Sequence, residues 1–196
     1  MMLKKITQGI LIPIALVALT SFGLTPGAFA QMSETSTGNT ASGLSSADRT
    51  FVKEAAQGGM AEVELGQLAV QKASSPDVKQ FGQRMVDDHS KANDQLKQVA
   101  SEKGVTLPSK LSVKDAATKA KLEKLSGDSF DRAYMKDMVK DHTKDVSAFQ
   151  KESQNGQDPA VKNFASQTLP TLQDHLNQAQ SIAPKTEQSS KSGGTH

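Results

Sequence analysis

Apolar residues recur along this chain every three or four positions, and no stretch alternates as a strand does, so the pattern predicts an all-α fold. A first helix starts at Asp48, read as its cap, and turns Val52, Ala55, Ala56, Gly59, Val63, Gly66 and Val70 inward. Ser74-Ser75-Pro76 ends it and opens the second, with Ser75 as N-cap and Pro76 in the first turn. That second stripe is Val78, Gly82, Met85, His89, Leu96 and Ala100, with Gly104 as terminator. A connection holding Pro108 leads to a short helix, started by Ser112 with Asp115 three residues on and stopped by Gly127. Asp128 is read as the cap of a third long helix, whose stripe is Asp131, Met135, Met138, Val139, His142, Val146 and Phe149. Asn155-Gly156 breaks it, and Asp158-Pro159 opens a fourth carrying Val161, Phe164, Thr168, Leu172, His175, Ala179 and Ile182. Pro170 inside this last stripe is expected to kink it or mark a bulge.

The phrase Pro76-x-Val78-Lys79-x-Phe81 returns as Pro159-x-Val161-Lys162-x-Phe164, each opening the second helix of a hairpin. Two tight hairpins joined by a longer crossover make a ferritin-like four-helix bundle, here with a short extra helix in the crossover. An up-down bundle with a decorated loop uses the same helices. The connection between hairpins, about twenty residues, is long enough to travel the bundle and favours the first.

The ends carry a different pattern. Lys4 and Lys5, the apolar run Ile10 to Leu19 and Ala28-Phe29-Ala30 read as a signal peptide over residues 1–30, cleaved before Gln31. The run is shorter than the ~20 residues a membrane span needs. Residues 31–46 form a flexible Ser/Thr/Gly-rich leader, 47–183 the bundle, and 184–196 a disordered polar tail holding His196. The expected location is therefore outside the cytoplasm, periplasmic or secreted, at most peripheral to the envelope, with no membrane span in the mature chain. There is no cysteine, hence no lipid anchor after the apolar run and no disulfide.

Removing Lys4 and Lys5 brings the 23 basic residues down to the 21 acidic ones, so the mature chain is formally neutral. Acids and lysines interleave without a basic block, and aromatics are few, which excludes nucleic acid as a partner. A protein partner stays open.

The chemistry is concentrated in three histidines, each preceded by aspartate: Asp88-His89, Asp141-His142 and Asp174-His175. Each histidine falls on the apolar stripe of a different helix. Two sit in near-copies of one phrase, Met85-Val86-Asp87-Asp88-His89 and Met138-Val139-Lys140-Asp141-His142. Glu62 lies about 60° from the centre of the first helix's inward arc, at 100° per residue, and so is that helix's buried acid. Counted from Ser75 it is level with His89, whereas His142 and His175 differ by five residues counted from Gly156, about 7 Å of rise.

Glu62, His89, His142 and His175 together match the ligand set of a mononuclear transition-metal site for one zinc or copper ion. Buried without partners, such groups cost ~1–3 kcal/mol each, and a metal, a Glu–His hydrogen-bond network or ordered water can answer that cost. Met85 and Met138, one turn before their histidines, suit copper as reserve ligands or serve simply as core fillers. Asp145 is a further reserve ligand, and Asp131 reads as a cap or inter-helix partner. Asp88, Asp141 and Asp174 point off the flank of their own helices and need no role. Gly59, Gly66 and Gly82 permit close helix approach.

Glu62-Val63-x-Leu65-Gly66-x-Leu68-Ala69, the paired Met-Val-x-Asp-His phrases and Leu169-Pro170-x-Leu172-x-x-His175-Leu176 resemble a bacterial exported family of unknown function. Its members are often labelled predicted outer-membrane proteins, and the resemblance, over about residues 48–183, implies a ferritin-like four-helix bundle without implying an activity. Alternating barrel strands are missing from the pattern. Val86, Val139 and Leu172 stand three residues before the histidines, where a di-iron site needs glutamate, so ferroxidase chemistry is not expected. No nucleophile constellation points to an enzyme. Three roles compete: a metal-binding bundle, a metal-free structural or envelope-stress interaction module, and an acid sensor whose buried histidines charge on acidification.

Overall fold

The computed structural model describes residues 43–192, with side chains to Thr186. The segment read as a signal peptide, the expected leader before Gly43 and His196 lie outside the described residues. Five helices follow in order: α1 (Ser46–Lys72), α2 (Pro76–Glu102), α3 (Val113–Glu123), α4 (Gly127–Asn155) and α5 (Pro159–Ser192). Among the described residues there is no strand, and no helix is long and apolar enough to cross a membrane.

α1 pairs with α2 and α4 with α5; α1 also packs on α4, and α2 on α5. The start of α4 meets the α1–α2 turn, and the start of α1 meets the α4–α5 turn. The long helices therefore run up, down, down and up, and the segment carrying α3 climbs the bundle against α1 and α4. This is the arrangement of two hairpins and a crossover that the sequence indicates.

Two buried aspartates lock the hairpins to each other. Asp131, near the start of α4, accepts the backbone N–H groups of Ser74 and Ser75 at 3.1 and 2.8 Å, and the Ser74 hydroxyl at 2.7 Å. Asp48, in the first turn of α1, accepts the N–H groups of Gln157 and Asp158 at 3.1 and 3.0 Å. Each thus caps the turn of the opposite hairpin. The same sequence offset relates Asp48 to Asp131, Pro76 to Pro159, Phe81 to Phe164 and Glu62 to Asp145, so the repeat legible at the turns extends through both hairpins. The cap of α1 is Ser45, whose hydroxyl accepts from Asp48 N–H at 3.0 Å, rather than Asp48 itself. Asp128 likewise falls inside α4, where it accepts from the Ser74 hydroxyl. Ser112 and Asp115 start α3 with a reciprocal box, as expected.

The inward stripes of α2 and α5 are those predicted. On α1 the expectation drifts: Val70 is exposed and Val63 only half-buried, while Phe51, Leu65, Leu68 and Ala69 are in the core. Steps of seven residues lag the true helical turn by about 20° per heptad, so a stripe extrapolated by sevens slides off the face. α5 continues as helix through Pro170 and Pro184 to Ser192, into the segment that composition assigned to a tail. At the α1–α2 contact, a Cβ on Gly66 would stand 2.7 Å from the Gly82 carbonyl oxygen, and one on Gly82 would stand 2.7 Å from the Ala69 Cβ. The two backbones touch there, and only glycine fits.

The interior is two apolar clusters rather than one. The first holds Leu65, Phe81, Met85, Tyr134 and Met138; the second holds Val52, Leu96, Phe149, Phe164 and Leu172. Between them lies a polar layer made by Glu62, His89, His142 and His175.

Candidate metal centre

His89, His142 and His175 come from α2, α4 and α5 and are buried, at 6%, 0% and 1% exposure. Their ring centroids form a nearly equilateral triangle, 5.6, 5.4 and 5.3 Å on a side. One nitrogen of each lies within 4.8 Å of the other two, a spacing that can hold a metal ion. Phe81 stands edge-on to two of the rings at about 6.5 Å and closes the triangle on the side of the first apolar cluster.

Hydrogen bonds at the outer edge of the triangle decide which nitrogens remain free. A backbone carbonyl only accepts, so His142 Nδ1 carries its proton and donates to Met138 O at 3.0 Å. His175 Nε2 donates to Oδ2 of the Asp88 carboxylate at 2.9 Å, and Arg84 Nε donates to the same oxygen at 3.2 Å. The buried nitrogens without a partner are His142 Nε2, His175 Nδ1 and His89 Nε2. Partners of this kind fix tautomer and ring orientation in metal-ligating histidines.

Burial and the neighbouring rings push His89 well below the usual histidine range, and burial together with the His175 charge takes His142 to about 4. His175 is also lowered by burial, against the pull of Asp88. The imidazoles are therefore neutral at ordinary pH, the form that binds a metal. Burial works against ionisation of Asp88, yet the hydrogen bonds from His175 and Arg84 hold its carboxyl below the usual value.

Glu62 is buried at 3% exposure with Oε2 unpartnered, as the helical wheel required, but it does not belong to the close group of three imidazoles. Its 60° offset from the arc centre aims it toward α4 and α3, into a cavity of about 460 Å³ whose wall His89 also shares. Burial, then the charges of Asp145, Asp141 and Asp137, raise its pKa well above the carboxylate range. Asp145, the reserve ligand, lines the same cavity, and burial followed by Asp141 takes it to about 7. Met85 and Met138 are fully buried in the first apolar cluster, packed with Phe81 and Tyr134 as core residues.

Asp141 and Asp174 have the flanking roles expected, on Lys114, Lys144 and Arg84. Asp88 departs from that reading. A residue beside a histidine faces away from it on the same helix, but its flank here faces α5, where it reaches His175 instead of His89. Arg84, four residues before Asp88, pairs with the carboxylate along α2, but that spacing does not reveal which helix it meets. The stagger between His142 and His175 is smaller than the count from Gly156 gave. The turn centres on Gln157, so the stagger is three residues, about 4.5 Å, which two imidazoles span.

A family described as a domain of unknown function, DUF4142, matches residues 33–182. A crystal structure of a DUF305 fragment from Deinococcus radiodurans shares the fold with a TM-score of 0.65 at 14% identity, covering 73% of this chain and 99% of that one. No curated protein matches.

Proposed function

This chain belongs to the DUF4142 family, a domain of unknown function, and we propose that it is an exported, periplasmic bundle that binds one transition-metal ion, zinc or copper. His142 Nε2, His175 Nδ1 and His89 Nε2 are the ligands. One observation carries this reading: the three free nitrogens are buried together without partners, while the opposite nitrogens of His142 and His175 are already engaged at the periphery. Neutral imidazoles in this number suit zinc and copper better than hard, oxygen-seeking cations. Glu62 is the carboxylate of the same layer, outside the close group of three, and is a candidate for the fourth ligand.

Three protein nitrogens leave a fourth position: filled by Glu62 the site is closed, which favours binding, and catalysis would require Glu62 to yield that position to water or substrate. The competing reading, a metal-free network that sets helix register, must satisfy the same three buried nitrogens through ordered water or Glu–His contacts, or bear ~1–3 kcal/mol for each. The two separate in one experiment. Added Zn²⁺ raises the melting temperature of the chelator-treated protein, and the increment vanishes when His89 and His142 are both changed to Ala. Equal destabilisation with and without zinc overturns the metal reading.

A further inference from the structure

The imidazole triangle is buried, so an ion must reach it through the interior. The cavity of about 460 Å³, lined by residues of all five helices, has His89 and Glu62 in its wall. On α4, Asp137, Asp141 and Asp145 follow one another at intervals of four, a rise of about 6 Å each, and all three line the cavity. Glu62 faces them from α1, and Lys114 from α3 sits on Asp141 at 3.4 Å. Glu62 Oε2 and Asp137 Oδ2 are buried there with no partner.

From this wall we propose that the cavity is a loading site for a hydrated divalent cation, held by Asp137, Asp141 and Asp145 and passed by way of Glu62 to the three imidazoles. This rests on the metal-binding reading for its destination but not for the site itself. Three things support it. Glu62 is more than nine-tenths buried, unpartnered and in the cavity wall, which a solvated acidic face does not require. The volume suits a hydrated ion, since six waters at ~30 Å³ occupy about 180 Å³. Six acidic side chains, Glu54, Glu62, Asp115, Asp137, Asp141 and Asp145, line the cavity against Lys114 and Lys144, so negative charge is in excess. A cation relieves that excess, and Lys114 and Lys144 on Asp141 are the resident counter-ions that an arriving ion displaces. Acids outnumber bases in this wall, and such a field draws in a cation; where a cleft is lined by one sign alone the gain in arrival rate is ~10–10³-fold.

The test is the rate at which the full-length apo-protein takes Zn²⁺ from a chromogenic chelator in stopped flow, for wild type and for D137N/D141N/D145N. These isosteric changes remove mutual repulsion and leave the imidazoles untouched, so the variant folds; its circular dichroism and melting temperature verify that. The expected result is an association rate lower by tenfold or more, with the ionic-strength dependence largely gone and the equilibrium Kd within about threefold. Loading by the folded variant at the wild-type rate and salt dependence overturns the proposal. A second arm separates the two readings by counting free Mn²⁺ by electron paramagnetic resonance over the H89A/H142A protein. Mn²⁺ bound there, and released by D137N/D141N/D145N, supports the loading site even if wild type holds no zinc at the imidazoles. No Mn²⁺ bound by H89A/H142A removes the site.

Discussion

The carboxylate of Asp88 on α2 accepts from Nε2 of His175 on α5 at 2.9 Å, and so leaves Nδ1, buried and free, as the nitrogen available inside the bundle. Arg84 holds the same carboxylate, so the contact joins two helices of different hairpins through three charged or ionisable groups. It is the clearest case here of an outer residue deciding what an inner one can do.

Asp88→Asn keeps the shape but removes the charge that orients His175. Zinc affinity, measured by competition with a chelator of known strength, falls by about 10–100-fold. Asp174→Asn is the control: that side chain is 68% exposed and 3.8 Å from Arg84, and its loss leaves affinity unchanged. Equal effects of the two substitutions contradict an orienting role for Asp88.

That role was not legible in the sequence, because neighbour rules along a helix say what a residue faces on its own helix and nothing of the next one. The three histidines were legible, since each sits on an apolar stripe that must face the core whatever the partners. Glu62 was legible as buried, but its offset was read as turning it in with the imidazoles, whereas it stands outside their close group. What the offset could not convey was that the space beside it is a cavity shared with α3, a helix whose path depends on tertiary packing. Val63 and Val70 misled for a plainer reason: valine looks like core, but the helical turn carries both to the flank of α1 while Leu65 and Ala69 take the interior.

Gly82→Ala puts a methyl 2.7 Å from the Ala69 Cβ and 2.9 Å from the Gly66 carbonyl oxygen, so α1 and α2 must separate. Denaturant titration is expected to show a loss of about 1–3 kcal/mol. Gly58→Ala, on the same hairpin with nothing within 4 Å, goes the other way, gaining up to ~1 kcal/mol from helix propensity alone. If both substitutions destabilise alike, the close approach is not what holds Gly82.

Glu152 at the far end of α4 is buried at 8% exposure beside Asp48, the aspartate that caps the α4–α5 turn. Burial first, and then Asp48, raise its pKa to about 7, with Lys151 pulling weakly the other way. The folded protein then holds a proton that the unfolded chain releases near pH 4.5, so this residue's contribution to stability falls as pH rises from about 4.5 to about 7 and is level above. Glu152→Gln does not titrate. Its stability relative to wild type should climb by about 2–3 kcal/mol across that window and stay constant at higher pH. A difference independent of pH between 4.5 and 8 rules out the raised carboxyl.

The metal carried by full-length protein, purified without an affinity tag and quantified by inductively coupled plasma mass spectrometry, tests the central claim most directly. The account predicts about one equivalent of zinc or copper per chain, set by the single imidazole triangle, and its loss from H89A/H142A. Substoichiometric metal that is indifferent to those substitutions would contradict it, and would leave the three histidines as the architecture of the polar layer.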